Sequence, residues 1–498
     1  MTSMIGVDLG TTYCKLARLA ATGRPEDIAN DLGFSSTPTA VLFTGAGEVI
    51  FGQEAFNAAI LEPKGFVAGW KREIGNPQWR FRAPDGKEHS AGDLMTLALS
   101  RLLAYAEQRI GERVTHVVLS IPANYRDEQR REMLAAGRAA GVTVISLIHE
   151  PTAAALAYAM EKKPGRKVLI YDLGGGTFDA TLLQVEADRV EVLATEGIAR
   201  CGGNDLLAAL EGHCLDLFER EHGYRPTPEQ HPAFCQDLRL ACERGKLALS
   251  SRQETTISAG LNGKALIAKV SRDAFESLAR PIIAPTIATC ASVLKAGGAR
   301  WADVDVVLVG GASRTPLVKA IIQQASGKPP LADVDPDHAV ARGNAIEAAL
   351  RLKELGEATT ADGVEVLPPS VAKIDVCAHD LGCFAINQRT GRLQCAVIIP
   401  RNTPIPTERS DVFGLLEPGQ TIANVVVVQG EEGAVPEACH VIGEVTLPLQ
   451  PNGPAERRVK VAYRYDPDGI VHVVAEDTHS KKQATIDLAT NGAGSAAS

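Results

Sequence analysis

Ile170-Tyr171-Asp172-Leu173-Gly174-Gly175-Gly176-Thr177-Phe178-Asp179 reads as a buried strand that ends on a carboxylate, turns through glycines and leaves as a second strand, Phe178 to Val185. The start of the chain repeats the pattern in Ile5-Gly6-Val7-Asp8-Leu9-Gly10-Thr11-Thr12, followed by Tyr13 to Leu19. Backbone amides in such turns reach phosphate oxygens only where no Cβ stands between, which is why glycine recurs. The carboxylates just before the turns, Asp8 and Asp172, suit a hard divalent ion bound chiefly through water. One loop of this kind is equally a plain hairpin turn, whereas the duplication predicts two facing loops that clamp a triphosphate from both sides. A third loop, Val309-Gly310-Gly311-Ala312-Ser313-Arg314, follows a strand and opens a helix at Pro316. Its glycines would admit the flat face of a nucleoside, and its other reading is a tight strand-to-helix turn.

Outward from these loops, β-branched runs alternate with helix-patterned stretches up to about residue 355, which predicts an α/β half with largely parallel sheets. Val114 to Ile121, Val168 to Tyr171 and Val304 to Val309 read as buried strands, followed by helical patterns such as Asp127 to Ala140, Pro151 to Met160 and Pro316 to Ala325. From Glu357 to Ser370 the composition turns to Gly, Thr, Asp and a Pro368-Pro369 pair, as in an extended exposed connector. Beyond it helical periodicity disappears. Val459, Val461, Tyr463 and Tyr465 alternate with polar or small residues, and Asp466-Pro467-Asp468-Gly469 turns the chain into Ile470 to Ala475. With Ser410 to Leu416, Thr421 to Gln429 and His440 to Leu447, this predicts an antiparallel β-sandwich. The expected layout is an α/β domain at 1–356, a linker at 357–375, the sandwich at 376–488 and a disordered small-residue tail at 489–498.

The 498 residues, 45% hydrophobic and 22% charged, set aside bulk disorder and suit about three globular units. The net charge of −9 speaks against nucleic acid as a main partner, since phosphate backbones call for a basic surface. Ten scattered cysteines without a Cys-x-x-Cys pair read as reduced small hydrophobes. The N-terminus has neither a basic n-region nor a long apolar run, and no later stretch has the length of a membrane span, so no membrane partner and a cytoplasmic location are expected.

The ordered motifs carry a specific resemblance. Asp8-Leu-Gly-Thr-Thr12, Lys71-Arg-Glu-Ile-Gly75, Ile121-Pro-Ala-Asn-Tyr125, Glu150-Pro-Thr-Ala-Ala-Ala-Leu-Ala-Tyr158, Asp172-Leu-Gly-Gly-Gly-Thr-Phe-Asp179 and Gly310-Gly-Ala-Ser-Arg314 resemble the DnaK-type heat-shock chaperones from Ile5 to about Leu488. The resemblance implies a two-lobed actin-like ATPase domain followed by a peptide-binding sandwich, with ATP or ADP, Mg²⁺ and K⁺, the last near Asp8, Tyr13, Thr177 and Asp179. It gives Lys71 to the γ-phosphate and attacking water, Glu150 to metal and water, and Thr177 to the γ-phosphate region. Without that context Lys71 reads as a surface lysine and Glu150 as a helix-start acid. Asp8, Asp172 and Asp179 would repel one another unless cations joined them, so their convergence implies metal. By the same resemblance Glu243, Lys246 and Ser250, which share one helix face, hold adenosine with Gly310, Gly311, Arg314 and Asp337, and Gly202 and Gly203 form a further phosphate-side loop. Ile386, Phe413, Leu416 and Ala423 fall to a cleft for extended apolar peptide, although apolar strand residues are core by default. Pro122 and Arg130, with Asp375 at the linker, fall to a relay between nucleotide and peptide.

Several positions depart from the family pattern. The helical lid that normally follows the sandwich is not expected here, so peptide exchange should be fast. The linker reads Val371-Ala-Lys-Ile-Asp375 in place of a leucine run, which predicts weaker coupling. Ser146 and His149 stand where an Arg and an Asn help dock J-domain co-chaperones, so any such partner is unusual, and the short hairpin from Thr255 to Val270 speaks against the common nucleotide exchange factor. Ala312 and Asn204 replace polar or acidic residues, thinning nucleotide contacts. The leading expectation is a monomeric, slow ATPase whose nucleotide state controls binding of unfolded polypeptide clients. A small-molecule kinase of the actin-like superfamily and a nucleotide-gated scaffold with little catalysis are the alternatives.

Overall fold

The computed structural model describes residues 3–161, 165–186, 188–331, 335–356, 359–361, 364–366 and 371–486. The expected tail at 489–498 lies outside them. The chain divides into two compact units, Met1–Ala123 with Met133–Ala372, and Asn124–Glu132 with Lys373–Ser498.

Two of the sheets in the first unit are each built around one of the duplicated hairpins. Strand Ser3–Leu9 pairs in parallel with Val114–Ile121 and antiparallel with Tyr13–Leu19. In the second sheet Arg166–Leu173 pairs in parallel with Val304–Val309 and antiparallel with Phe178–Val185. The sheets are therefore mixed rather than largely parallel, because a strand that turns back within a few residues can only return antiparallel. Ile5, Val7 and Leu9 are fully buried, and helix Ala339–Glu354 lies on their sheet. Its Asn344 Nδ2 donates to the Val7 carbonyl and to Ser120 Oγ, both at 2.9 Å, so a buried amide fixes the helix at the strand that carries Asp8.

Against the second sheet, Leu169, Tyr171 and Phe178 share a core with Leu206, Leu210 and Phe218 of helix Gly203–His222 and with Phe234 and Cys242 of helix Pro232–Leu249. The hairpin Glu254–Leu261 with Lys264–Ser271 closes that core through Ile257 and Leu266, while Ile267 on its other face is 70% exposed. Pro232 and Pro316 occupy first-turn positions of their helices, where the missing N–H costs no hydrogen bond.

Two four-stranded antiparallel sheets make the second unit. Leu393–Ile399, Leu381–Ile386, Ile422–Gln429 and His440–Pro448 form one, and Thr407–Phe413, Val459–Tyr465, Val471–Asp477 and Gln483–Ile486 the other. Val427, Leu447, Val461 and Val473 fill the core, and the buried Tyr463 hydroxyl donates across it to the Gly382 carbonyl at 2.9 Å. The strand read as Ser410 to Leu416 ends at Phe413, where Gly414 follows, so Leu416 lies in the turn beyond. In the stretch expected to be an extended connector, Thr359–Ala361 pairs antiparallel with Val364–Val366. The β-branched residues flank Asp362-Gly363 in the sequence, a hairpin signal that outweighs loop-like composition. Strand Ala372–Val376 follows and pairs Asp375 opposite Ile405.

Candidate functional site

The ends of the two hairpins in the first unit open onto one cleft of about 340 Å³. Asp8, Gly10, Thr11 and Thr12 line it from one sheet, and Asp172, Gly174, Gly175 and Thr177 from the other. A Cβ on Gly175 would fall inside the Thr12 side chain, so the facing loops approach as closely as backbone allows. Each loop is held from behind. Thr39 donates its hydroxyl to the Gly10 carbonyl at 2.7 Å, and the Gly174 and Gly175 carbonyls accept from the amides of Gly203 and Asn204, both at 2.9 Å. Gly176 and Gly202 support the loop without lining the cleft. The Gly176 carbonyl takes a 2.7 Å hydrogen bond from Arg72, whose guanidinium is also paired with Asp205 at the start of the next helix.

Charge is concentrated on this side. Lys71, 3% exposed, sits 2.6 Å from Glu150, the first residue of helix Glu150–Glu161, and both line the cleft. Asp179 is buried and stands directly opposite Asp172 in the hairpin register. Burial, together with the neighbouring Glu150, Asp179 and Asp8, raises the Asp172 carboxyl well above the usual carboxylate range. Such a carboxylate wall is unfavourable by itself, and a divalent cation with polyphosphate is the chemistry that relieves it, so the residues fit Mg²⁺. Among the described residues no three His, Cys, Asp or Glu side chains meet to ligate a metal directly, so Asp8 and Asp172 would hold the ion through its water, while Asp179 is not among the residues that line the cleft.

Away from the carboxylates the cleft is lined by Glu243, Lys246 and Ser250 from helix Pro232–Leu249 and its end, and by Gly310, Gly311 and Arg314 from the third loop. Lys246 pairs with Glu243 at 2.7 Å and donates to the Gly203 carbonyl at 3.2 Å. Arg314 is held by Asp337 at 2.6 Å and by Asp335 at 3.1 Å. Gly310 has φ +79°, a conformation side chains rarely adopt, and a Cβ there would strike the Leu173 carbonyl. Leu206, Leu247, Ala312 and Val340 complete an apolar lining suited to a flat ring. Tyr13 joins the two ends, its phenol pushed up by burial and by the charges of Glu243 and Asp337.

The remaining predicted positions lie outside this cleft. Pro122 is buried beside the end of strand Val114–Ile121. Within the second unit Arg130 is 5% exposed and donates to the Asp468 carbonyl at 3.0 Å and the Tyr125 carbonyl at 3.3 Å, while Asp375 is buried. Of the four apolar residues assigned to a peptide cleft, Ile386 and Leu416 are exposed, Phe413 is half-buried against the core, and Ala423 is 8% exposed inside it. Sequence reasoning did not single out Arg72 or Lys15. Arg72 gave no signal, since its partners are far away in the chain. For Lys15 the signal was present, because it follows Asp8 at the spacing by which Asp179 follows Asp172.

Comparison with known proteins bears on what this arrangement does. The family model described as Hsp70 protein matches residues 4–498. The chaperone protein DnaK of Thermus thermophilus is 33% identical over 98% of this chain and 80% of its own length. Those of Thermotoga neapolitana and Thermotoga maritima are each 35% identical over 97% of this chain and 80% of theirs.

Proposed function

The chain belongs to the Hsp70 family, and from that premise we propose a residue-level reading of its cleft. The protein is an ATP-dependent molecular chaperone and an ATP-hydrolysing enzyme, built on a two-lobed actin-like ATPase fold with a β-sandwich. In our reading ATP lies between the duplicated loops, its adenosine against Glu243, Lys246, Ser250 and Arg314 and its phosphates toward Lys71 and Glu150. The observation that carries this is the Lys71–Glu150 pair at 2.6 Å, set where both phosphate loops end.

Hydrolysis requires in-line attack of water on the γ-phosphoryl group, and catalysis of such a step is mostly positioning and charge neutralisation. Lys71, oriented by Glu150, supplies positive charge where it develops in the transition state. Glu150 places and polarises the attacking water, Thr177 contacts the terminal phosphoryl from the opposite loop, and the amides of Thr11, Thr12 and Gly175 cradle the phosphates. Mg²⁺, when bound, neutralises phosphate charge beside Asp8, Asp172 and Asp179, and K⁺ near Asp8, Tyr13, Thr177 and Asp179 belongs to the same reading.

Clients on this reading are extended apolar segments of unfolded polypeptides, taken by the sandwich near Ile386, Phe413, Leu416 and Ala423. A J-domain co-chaperone and a monomeric state are part of the proposal, as is a cytoplasmic location; the ten cysteines are all free thiols. Among the described residues no single helix is long and apolar enough to cross a membrane. We assign 1–356 to the ATPase domain, 357–375 to the linker and 376–488 to the sandwich. ATP turnover with and without an unstructured apolar peptide tests the whole reading. Stimulation is expected, and turnover indifferent to every peptide would count against nucleotide-controlled client binding.

A further inference from the structure

Lys15 lines the cleft beside Asp8, and the roles given above to adenosine and the terminal phosphoryl do not use it. The duplicated hairpins show why it matters. In the first, the residue directly opposite the strand-ending Asp8 is Lys15; in the second, the residue opposite Asp172 is Asp179. Both stand seven positions after their aspartate. On the wall that carries Asp172, the hairpin register therefore sets a carboxylate opposite a carboxylate. The other wall pairs a carboxylate with an ammonium that the chain itself provides.

The contact has the character of a tether rather than a closed ion pair. Lys15 Nζ lies 3.5 Å from Asp8 Oδ2, with side-chain exposures of 13% and 9%. Lys71, by contrast, is held to Glu150 at 2.6 Å. Charge-assisted hydrogen bonds are shorter than the Lys15 contact, and an ammonium has three N–H donors. Among the described residues the Lys15 ammonium makes this ion pair and no hydrogen bond. It lines a cavity that Thr11, Thr12, Lys71 and Asp172 also line. A half-buried lysine in such a place gains most from an anion that brings several oxygens at once.

We propose that the Lys15 ammonium is a phosphate-binding residue that occupies, on the Asp8 side of the cleft, the place a free monovalent cation would otherwise fill. This rests on the reading of the cleft as an ATP site. It deepens that reading in one respect, since K⁺ would be needed only on the Thr177–Asp179 side, and one bound ion fewer would accompany the nucleotide.

The test measures MgADP affinity of the full chain by calorimetry, with K⁺ varied against tetramethylammonium at constant ionic strength. Lys15→Met removes the charge and keeps the stem; Lys15→Arg keeps the charge. In tetramethylammonium, Lys15→Met should bind MgADP about tenfold more weakly than the parent and Lys15→Arg within about twofold of it. Added K⁺ should restore the Met variant, with the slope of log Kd against log [K⁺] steeper than in the parent by about one ion. A merely structural lysine would not change that slope. Equal slopes in parent and Lys15→Met, or unchanged affinity without K⁺, would overturn the proposal while leaving the ATP site standing. Failure of the parent chain to bind MgADP in either salt would overturn the ATP reading, and this inference with it. If Lys15→Met does not fold by circular dichroism, Lys15→Gln takes its place under the same criteria.

Discussion

Lys71 and Glu150 are 79 residues apart in sequence and 2.6 Å apart in space, and their chemistry can be separated experimentally. Lys71→Ala should slow single-turnover hydrolysis by about 10²–10³-fold while leaving ATP affinity nearly unchanged, because its charge is worth most in the transition state. Glu150→Gln should slow hydrolysis by about 10²-fold, again with ATP affinity preserved. Either variant turning over like the parent would remove that residue from the reacting centre. The sequence presented Lys71 only as a charged-patch lysine, and the ordered motifs alone raised it above that. Ser146 marks the opposite case. Its type departs from the family pattern, and the structure gives a reason internal to the fold: the hydroxyl is buried and donates to Glu347 at 3.0 Å.

Pairs of elements are fixed by buried polar contacts that can be tested in the same way. Strand Pro25–Ile28 meets helix Ala339–Glu354 through Asp27, which accepts from Arg342 at 2.7 Å and lies 3.3 Å from His338. Burial pushes the Asp27 carboxyl up, but hydrogen bonds and charge from His338 and Arg342 outweigh it and hold the pKa at about 2, below its ordinary 3.8. A carboxylate whose folded pKa is depressed stabilises the fold above its unfolded pKa, and that contribution is lost as pH falls through the folded one. Asp27→Asn should therefore flatten the loss of stability between the ordinary and the lowered value, a difference of roughly 1–2 kcal/mol by urea denaturation across that range. Identical pH profiles would mean the contact is neutral. In the sandwich, Arg458 and Asp477 are both fully buried and paired, and Arg458 also donates to the Gln450 carbonyl at 2.8 Å, pinning the loop before strand Val459–Tyr465. Arg458→Leu leaves a buried carboxylate without its guanidinium and should cost about 3–5 kcal/mol, most of it recovered in Arg458→Leu with Asp477→Leu. A single variant as stable as the parent would show that solvent reaches Asp477. Element types were legible from periodicity, whereas the end of strand Thr407–Phe413 was not, because apolar Leu415 and Leu416 continue the pattern past the glycine that breaks it.

For the whole molecule, a chaperone of this kind must let nucleotide change its affinity for clients, and that coupling is a free energy shared by two sites. Arg130 is the residue we assign to it. Burial lowers its guanidinium pKa, and its carbonyl partners leave the charge costly to remove cleanly. Arg130→Lys, which keeps the charge and loses the planar fork, should spare ATP affinity and reduce ATP-driven release of a fluorescent peptide by about tenfold. Full release in that variant would take Arg130 out of the relay. The sequence by itself determined the two duplicated glycine turns, the third glycine turn that opens a helix, the change from α/β to antiparallel β and the order of the motifs. These are local, each written in a few contiguous residues whose backbone conformation and period leave little choice. Only the tertiary structure decided that Lys71 reaches Glu150, that Arg72 ties the Gly176 carbonyl to Asp205, that Asn344 seats a helix on Val7, and that Asp8 is answered by Lys15 where Asp172 is answered by Asp179. Most of those partners lie tens to hundreds of positions apart, and packing brings them together. Where the partners are close in sequence, as in the hairpins, what mattered was which side chains the register set opposite one another at the edge of a cleft lined from both sheets.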